Sequence, residues 1–319
     1  MKSTLSSLVF LLFFVNWSSA QVQIRRSMNL MGSVFEITLV DKDSSTANLH
    51  IDLAVAEIER IENLISEWRP NTQISKVNQN AGIKPIQVDP EVYELCKRAL
   101  YFSQISDGAF DISIAALDKI WRFDGSMEAM PSEAQIQQSI ARVGYQHIIL
   151  DSINSSIYLA KRGMKIGFGS IGKGYAADKA RAVMKNLNIT AGMINASGDI
   201  ASWGEQLNGE PWAIGVLNPF KAHKIIKVLK FKEHAVATSG SYEKYVEFND
   251  VRYSHIIDPK SGYPSTGLVS ATVYGPSAEF ANGLSTSIMV LGVKKGMKLA
   301  KQFPQYRFIL IGDNKKIYR

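Results

Sequence analysis

Residues Thr238 to Gly262 read TSGSYEKYVEFNDVRYSHIIDPKSG, and we interpret the rest of the chain as a scaffold around them. Two runs of β-favouring residues, Tyr242 to Phe248 and Val251 to Ile257, are separated by the turn pair Asn249-Asp250. Aromatic and β-branched residues on both sides of such a pair are typical of a β-hairpin. The stretch therefore predicts a hairpin late in the chain.

Both ends of this hairpin carry residues suited to a functional site. Before the first arm, the small residues from Thr238 to Ser241 predict a turn whose backbone amides can approach an anion closely. The second arm leads through His255 to Asp258, where Pro259 forces a turn that Gly262 closes. We place the candidate site here.

The first residues, Met1 to Ala20, predict a secretory signal. Lys2 precedes an apolar run from Leu8 to Val15, and small residues occupy positions 18–20. The run is shorter than the ~20 residues that span a bilayer. We expect cleavage before Gln21, and an uncleaved anchor is the alternative. The residue directly after that point is Gln21 and not a cysteine, so attachment of a lipid there has no acceptor.

The remainder, residues 21–319, is long enough for one large domain or two small ones, and we expect one or two closely packed lobes. The net charge of +7 is spread along the chain instead of clustered. A positive net charge of this size is compatible with anionic ligands or a membrane surface. No stretch interleaves aromatic and basic residues, so the sequence argues against a nucleic-acid partner.

The single cysteine, Cys96, rules out an internal disulfide although export implies an oxidising compartment. It lies in a helical apolar pattern with Val92, Leu95 and Ala99. This pattern favours a buried, inert thiol over a catalytic one.

The first half of the chain predicts an ordered series of elements. Met31 to Val40 alternates as a strand does, and isoleucines at helical spacing predict a helix that ends near Ser66. Trp68 follows in a loop. We interpret it either as a stacking platform for a planar ligand or as a tryptophan that caps the helix end. A second helix is predicted from Pro90 to Ser106, after which Asp111 is either functional or the cap of a helix that holds Ile114, Leu117 and Trp121.

Further elements follow from the same rules. Ser132 and Gln135 predict a capping box that opens a helix through Val143. The other predicted strands are Ile148–Leu150, Ile157–Leu159, Lys165–Phe168, Met193–Asn195, Ile200–Trp203, Trp212–Val216, Ile225–Phe231, Val269–Tyr274 and Arg307–Ile311, and the other predicted helices are Ala278–Leu291 and Lys294–Lys301.

A glycine-rich segment, Gly167 to Asp178, passes from a predicted strand through a turn into a helix. Amides at such a helix start can hold a phosphate, and Lys173 adds a positive charge. The spacing of a Walker loop is absent. A second tight turn, Ala196 to Asp199, ends in an acid.

Five segments in one order carry a family resemblance. They are MGSVFEITL, ISEWRPNTQISKVN, GAFDISIAAL, GFGSIGKGYAADKA with NASGDI, and the opening stretch followed by ANGLSTSIMVLG. Together they resemble the ApbE-like FAD:protein FMN transferases over most of the chain beyond position 30.

The resemblance implies an α+β, two-lobed, T-fold-like architecture with an FAD site in the cleft between the lobes. It implies a Mg²⁺-dependent reaction that splits the FAD pyrophosphate, passes FMN to a threonine hydroxyl of an acceptor protein and releases AMP. It also favours a periplasmic or cell-envelope location, where the acceptor belongs to membrane-bound redox complexes. Glycine turns, a lysine and a metal suit phosphoryl transfer, which mostly needs positioning and charge neutralisation.

The resemblance also assigns roles to particular residues. The positions that match FAD contacts are Met31, Trp68, Ala109, Phe110, Asp111, Lys173 and Ile257. The positions that match metal ligands are Ser170, Asn282, Ser285 and Thr286. His255 and Asp258 match the HIIDP segment, and His255 is interpreted as the base that deprotonates the attacking threonine near neutral pH or as a residue that only orients the hairpin.

Three positions depart from the family pattern. Related chains carry an acid where this chain has Gly167, and a carboxylate metal ligand where it has Asn282; some add a second acid where it has Ser285. Because Mg²⁺ is usually held through one or two carboxylates, these changes predict a weakened or lost metal site. The alternatives to a transferase are therefore a flavin-binding protein without transfer chemistry and a fold relic without a ligand.

Overall fold

Fifteen strands and six α-helices are present in the residues that the computed structural model describes, which are 21–117, 120–124, 126–221, 224–242, 244–249 and 251–319. The predicted signal peptide, Met1 to Ala20, and the turn residue Asp250 lie outside these ranges. The strands are β1 (Val22–Leu30), β2 (Ser33–Asp41), β3 (Ile86–Gln87), β4 (Ile148–Asp151), β5 (Ser156–Leu159), β6 (Ala191–Ala196), β7 (Asp199–Trp203), β8 (Trp212–Leu217), β9 (Ile225–Phe231), β10 (His234–Gly240), β11 (Tyr245–Phe248), β12 (Val251–Ser254), β13 (Leu268–Gly275), β14 (Arg307–Gly312) and β15 (Ile317–Tyr318). The helices are α1 (Ser44–Ile65), α2 (Gln73–Gln79), α3 (Pro90–Ile105), α4 (Glu133–Ile140), α5 (Gly172–Asn186) and α6 (Ala278–Ala300), together with two 3₁₀ helices, Ile112–Ala116 and Tyr145–His147.

The main sheet has eight strands in the order β1-β2-β6-β7-β10-β13-β14-β15, and every neighbouring pair is antiparallel. Helices α1, α5 and α6 cover one face of this sheet. The β8–β9 hairpin packs on the other face, where Ile214 and Leu229 contact Ile200 and Val236. Strand β7 is buried along its whole length because both of its faces are covered.

Helices α1, α3, α4 and α5 form where the sequence predicts them, and α2 was not predicted. Isoleucines 51, 58, 61 and 65 of α1 are buried along one face, and the side chain of Asp43 caps its first turn by accepting from the Thr46 amide over 2.8 Å. The predicted capping box of Ser132 and Gln135 is present at the start of α4. The two helices predicted at the end of the chain are one element, α6, which breaks at Gly292, where φ is 70°.

A second group of elements stands beside the main sheet. It contains α2, α3, α4, the three-stranded sheet β3-β5-β4 and the β11–β12 hairpin. A separate apolar cluster joins this hairpin to its surroundings through Val246, Trp121 and Ile136, and we call it the hairpin cluster. The predicted α+β fold is confirmed. Within the described ranges, none of the helices combines the length and the apolar character needed to cross a membrane.

Three local predictions are wrong for identifiable reasons. Residues Lys165 to Phe168 form no strand, because the side chain of Asn78 bonds both the carbonyl and the amide of Ile166, at 2.9 and 2.8 Å. The segment from Thr238 to Ser241 is no anion-binding turn, because Thr238, Ser239 and Gly240 pair with β13 as part of β10. The segment after Asp111 is a 3₁₀ helix of five residues that ends before Leu117.

Helices α5 and α6 approach closely at Gly174. A Cβ on this residue would lie 2.5 Å from the carbonyl oxygen of Ala278, a backbone atom that cannot rotate away. We expect Gly174→Ala to lower the free energy of unfolding by about 1–3 kcal/mol, as overpacking does. Urea denaturation measures the effect. Ala182→Ser on the exposed face of α5 is the control, with an expected change of less than about 0.5 kcal/mol; equal stability of the two variants would contradict the close crossing.

Cys96 is fully buried, as predicted, and burial raises the pKa of its thiol to about 12. Because only the thiolate reacts, we expect alkylation of the folded protein to be about 10³-fold slower than that of the unfolded chain. Mass spectrometry after iodoacetamide treatment, with and without guanidinium chloride, measures both rates. Rapid labelling without denaturant would show that α3 opens locally.

Candidate active site

A long cleft lies between the main sheet and the second group of elements. It consists of three adjoining cavities of ≈ 550, 890 and 510 Å³, and Glu67, Trp68 and Gly169 line all three. Each cavity has the size of a complete small-molecule pocket. The cleft can therefore hold an extended ligand, with different groups in different cavities. We refer to the 510 Å³ cavity as the central cavity.

The start of α5 forms one wall of the cleft. Its N-cap, Ile171, provides no side-chain hydrogen bond to the amides of the first turn. These amides and the helix dipole favour an anion at this end. Lys173, the second residue of α5, lines both the 550 Å³ cavity and the central cavity. The wall has the character of a phosphate site, as the glycine-rich segment predicts.

A tight hairpin turn brings an acid to the central cavity. Ser197 and Gly198 connect β6 to β7, and both have positive φ, 55° and 99°, as a two-residue hairpin turn requires. The next residue, Asp199, is 3% exposed and lines the central cavity. Asp199 was missed as a site residue, although the acid that follows this turn is visible in the sequence.

Asn282 contacts this acid from α6. Its side-chain nitrogen donates to the carbonyl oxygen of Ser170 over 2.9 Å and to Oδ2 of Asp199 over 3.2 Å. This orientation of the amide is the one that satisfies both neighbours, since each of them is an acceptor. The amide nitrogen thus lies between two oxygen atoms of the kind that bind cations.

Two further residues of α6 with hydroxyl groups, Thr286 and Ser285, differ from each other in their surroundings. Thr286 lines the central cavity, and its Oγ1 lies 3.4 Å from Oγ of Ser239. Ser285 is fully buried and bonds Ser239 over 2.8 Å and the carbonyl of Asn282 over 3.0 Å. Of the two, Thr286 is available to a ligand in the cleft, and Ser285 joins α6 to β10.

The donor set fits a magnesium ion that binds together with a phosphate-bearing ligand. Asp199 offers a carboxylate, Ser170 a carbonyl, Thr286 a hydroxyl and Asn282 an amide oxygen once its side chain rotates. Mg²⁺ accepts one or two carboxylates and completes its shell with phosphate oxygens and water. No three His, Cys, Asp or Glu residues converge on a metal position in the described ranges, so the single carboxylate makes the site dependent on the ligand's own oxygens.

His255 follows β12 and lines the central cavity and the 890 Å³ cavity. Its Nδ1 lies 3.1 Å from the carbonyl oxygen of Lys244. A carbonyl only accepts, so in the neutral ring Nδ1 carries the hydrogen and Nε2 is the proton acceptor. This tautomer suits a general base.

Asp258 lies in the turn that the sequence predicts. Its carboxylate accepts from the Lys260 amide over 3.0 Å and from the Ser261 hydroxyl over 3.2 Å, and its backbone carbonyl accepts from Gly262 over 2.8 Å. Asp258 does not line the cavities described above. Its geometry is that of a residue that shapes the segment after His255, and its catalytic role stays a prediction.

The predicted FAD contacts are distributed along the cleft. Met31 lines the 550 Å³ cavity, and Trp68, 75% exposed, faces all three cavities. Ala109, Asp111 and Ile257 line the central cavity. The side chain of Phe110 is instead fully buried and packs against Phe102, with ring centroids 5.5 Å apart.

Asp111 is a cap as well as a wall residue. Its carboxylate accepts from the Ser113 amide over 2.8 Å, the Ser113 hydroxyl over 2.6 Å and the Tyr145 amide over 2.7 Å. Burial raises its pKa, and these hydrogen bonds oppose that effect. Asp111 therefore both caps the 3₁₀ helix and lines the cleft.

Comparisons with known proteins agree with this geometry. A model of the ApbE family matches residues 31–310. A protein of Klebsiella pneumoniae named FAD:protein FMN transferase is 33% identical over 290 residues, which cover 90% of this chain and 89% of that protein. The crystal structure of the ApbE protein of Thermotoga maritima superposes with a TM-score of 0.84 at 30% identity and covers 93% of this chain and 97% of its own. The flavin transferase ApbE of Vibrio cholerae gives a TM-score of 0.83 at 25% identity, with the same coverage.

Proposed function

This chain belongs to the ApbE family and is a transferase enzyme, and from that premise we propose that it transfers FMN from FAD to a threonine hydroxyl of an acceptor protein and releases AMP. One observation carries the proposal. His255, Lys173 and the oxygen atoms around Asn282 line the same central cavity. A base, an anion site and a cation site are the groups that transfer from a pyrophosphate needs.

The residues have distinct tasks in the proposed step. Nε2 of His255 takes the proton of the threonine hydroxyl, while Nδ1–H donates to Lys244 and holds the ring. The threonine oxygen forms a bond to the phosphorus of the FMN half. The bond from this phosphorus to the bridging oxygen breaks, and AMP leaves with that oxygen. Lys173 and the amides at the start of α5 hold the phosphate oxygens.

Magnesium dependence is part of the proposal. Asp199, Thr286 and the Ser170 carbonyl are the groups that would hold the ion, together with the amide oxygen of Asn282. A bound magnesium ion supplies neutralisation of the negative charge on the pyrophosphate. Asp199 supports this part, because it places a carboxylate beside Asn282, where this chain lacks the carboxylate of the family pattern.

The second candidate function is flavin binding without transfer. It is favoured by Asn282, whose amide nitrogen lies between the Ser170 carbonyl and Asp199 and satisfies both without a cation. A protein of this kind would bind FAD in the same cleft and leave its pyrophosphate intact.

One experiment separates the two functions. The purified protein is incubated with FAD, Mg²⁺ and a protein domain that carries a candidate acceptor threonine. Mass spectrometry then measures the addition of FMN to the domain, and chromatography measures AMP. We expect both products in equal amounts, and neither with a Thr→Ala acceptor. Tight FAD binding without either product would establish the second function.

The location of the reaction is also a proposal. We place the protein outside the cytoplasm, in the periplasm or cell envelope, because Met1 to Ala20 has the pattern of a secretory signal. Acceptors in membrane-bound redox complexes would then be accessible to the cleft.

A further inference from the structure

Glu67 occupies an unusual place in the cleft. It follows α1 by two residues and lines all three cavities, so it lies where they adjoin. Within the described residues no cation forms an ion pair with its carboxylate, in contrast to Glu62 five residues earlier, which pairs with Arg69 at 3.0 Å. Burial raises the pKa of Glu67, so the carboxylate has given up part of its hydration without a compensating charge.

The opposite wall of the cleft is shaped around this carboxylate. A Cβ on Gly167 would lie 2.7 Å from Oε1 and 2.8 Å from Cδ of Glu67. The backbone at Gly167 has no positive φ that would require glycine. Glycine at this position leaves room for the Glu67 carboxylate, which a side chain at position 167 would displace from its present place.

A desolvated carboxylate that faces a cleft is useful when a ligand supplies hydrogen-bond donors. FAD carries hydroxyl groups on its ribityl and ribose units and N–H groups on both ring systems. Such donors replace the hydrogen bonds to water that the Glu67 carboxylate has lost. Charge-assisted hydrogen bonds of this kind are among the stronger ones in proteins. Ligands without matching donors leave the carboxylate unsatisfied, which makes the position a determinant of specificity.

We propose that Glu67 is the carboxylate by which this cleft recognises FAD, presented from the α1–α2 loop into the space that Gly167 leaves open. This inference rests on the proposed function, since it assumes that FAD occupies the cleft. It also accounts for the departure at Gly167. The carboxylate of Glu67 lies beside Gly167, in the space where a side chain at position 167 would otherwise begin.

Binding without turnover tests the inference. FAD affinity is measured by fluorescence titration in EDTA and without acceptor, so that transfer cannot contribute. We expect Glu67→Ala to weaken FAD binding by about 10–100-fold, the value of a hydrogen bond to a charged group. Glu59→Gln on the exposed face of α1 is the control for the loss of one negative charge, with an expected change of less than about 2-fold. Titrations with FMN and with ADP show which half of FAD supplies the donor.

A reciprocal exchange distinguishes this recognition from a general loss of structure. Gly167→Asp alone places a second carboxylate against Glu67, and we expect it to weaken FAD binding. The double variant Glu67→Ala with Gly167→Asp carries one carboxylate again, and we expect its affinity to return to within about 5-fold of the wild type. Such non-additivity is the signature of two positions that serve one role.

The outcomes are distinct. Wild-type affinity in Glu67→Ala, or a double variant no better than its parents, would overturn the inference while leaving the proposed function intact. A wild-type protein that binds FAD neither in EDTA nor with added Mg²⁺ would overturn the proposed function itself. Thermal unfolding of the ligand-free variants serves as the structural readout. We expect Tm of Glu67→Ala to equal or exceed that of the wild type, because a desolvated charge is removed, and a lowered Tm with unchanged affinity would assign Glu67 a structural role.

Discussion

Replacement of His255 with asparagine is expected to lower the rate of FMN transfer by about 10²–10⁴-fold, the usual contribution of a general base. Asparagine keeps an N–H group that can donate to the Lys244 carbonyl, as Nδ1 of His255 does at 3.1 Å. The variant therefore preserves the tie between the histidine segment and the hairpin and removes the proton acceptor. FAD affinity should change by less than about 3-fold, because the lost group acts on the acceptor and not on the nucleotide.

Single-turnover measurements with saturating FAD and acceptor isolate the chemical step. His234→Asn is the matched control, since His234 lies at the exposed start of β10 and stacks on Phe231 at 5.0 Å, outside the cleft. Transfer at the wild-type rate in His255→Asn would remove the base from the mechanism. His255 would then have the other role that the sequence leaves open, which is to orient the segment after β12.

The second large effect is expected at Asn282, where an aspartate restores the family pattern. In the ligand-free protein, Asn282→Asp replaces an N–H donor with an acceptor that faces the Ser170 carbonyl and the Asp199 carboxylate. Two hydrogen bonds are lost and two negative charges lie side by side. We expect the free energy of unfolding in EDTA to fall by about 2–4 kcal/mol.

Magnesium should reverse this loss. A cation that binds the paired carboxylates stabilises the folded state in proportion to the logarithm of its concentration, by about 2.7 kcal/mol at one hundred times its Kd. Thermal unfolding across a magnesium titration measures the effect without turnover. The Tm of Asn282→Asp should rise steeply and that of the wild type only slightly. Asn208→Asp is the control, because an aspartate there can still accept from the Glu210 amide. A magnesium-independent Tm in Asn282→Asp would show that these oxygens do not form a metal site.

Most elements of the fold could be predicted from local patterns. The isoleucine spacing in α1 and the capping box of α4 depend on residues a few positions apart, and both are confirmed. Long-range partners explain the failures. The side chain of Asn78, 88 residues away in the sequence, bonds the backbone of Ile166 in place of a neighbouring strand. The segment at Ser239 pairs with β13 and so becomes part of the main sheet. A single sequence records neither partner.

In the candidate site, too, local motifs could be predicted and long-range contacts could not. The family resemblance predicts residues that line the cleft, from Met31 to Thr286. It does not predict Asp199 and Glu67 as site residues, because their roles depend on contacts with Asn282 and Gly167 across the cleft. A sequence motif identifies single site residues. That an acid on one wall of the cleft lies beside a neutral residue on the opposite wall is evident only from the structure.

The hairpin cluster has a consequence for the diversification of this enzyme. Val246, Trp121 and Ile136 form an apolar contact of their own, apart from the core beneath the main sheet. Mutations in the β11–β12 hairpin therefore change the rim around His255 and leave the packing of α5 and α6 on the main sheet intact. Variation in the hairpin can then alter the surface that meets an acceptor protein, provided that the contact between His255 and the Lys244 carbonyl is kept. Directed evolution of altered flavinylation targets should accordingly begin with libraries in this hairpin.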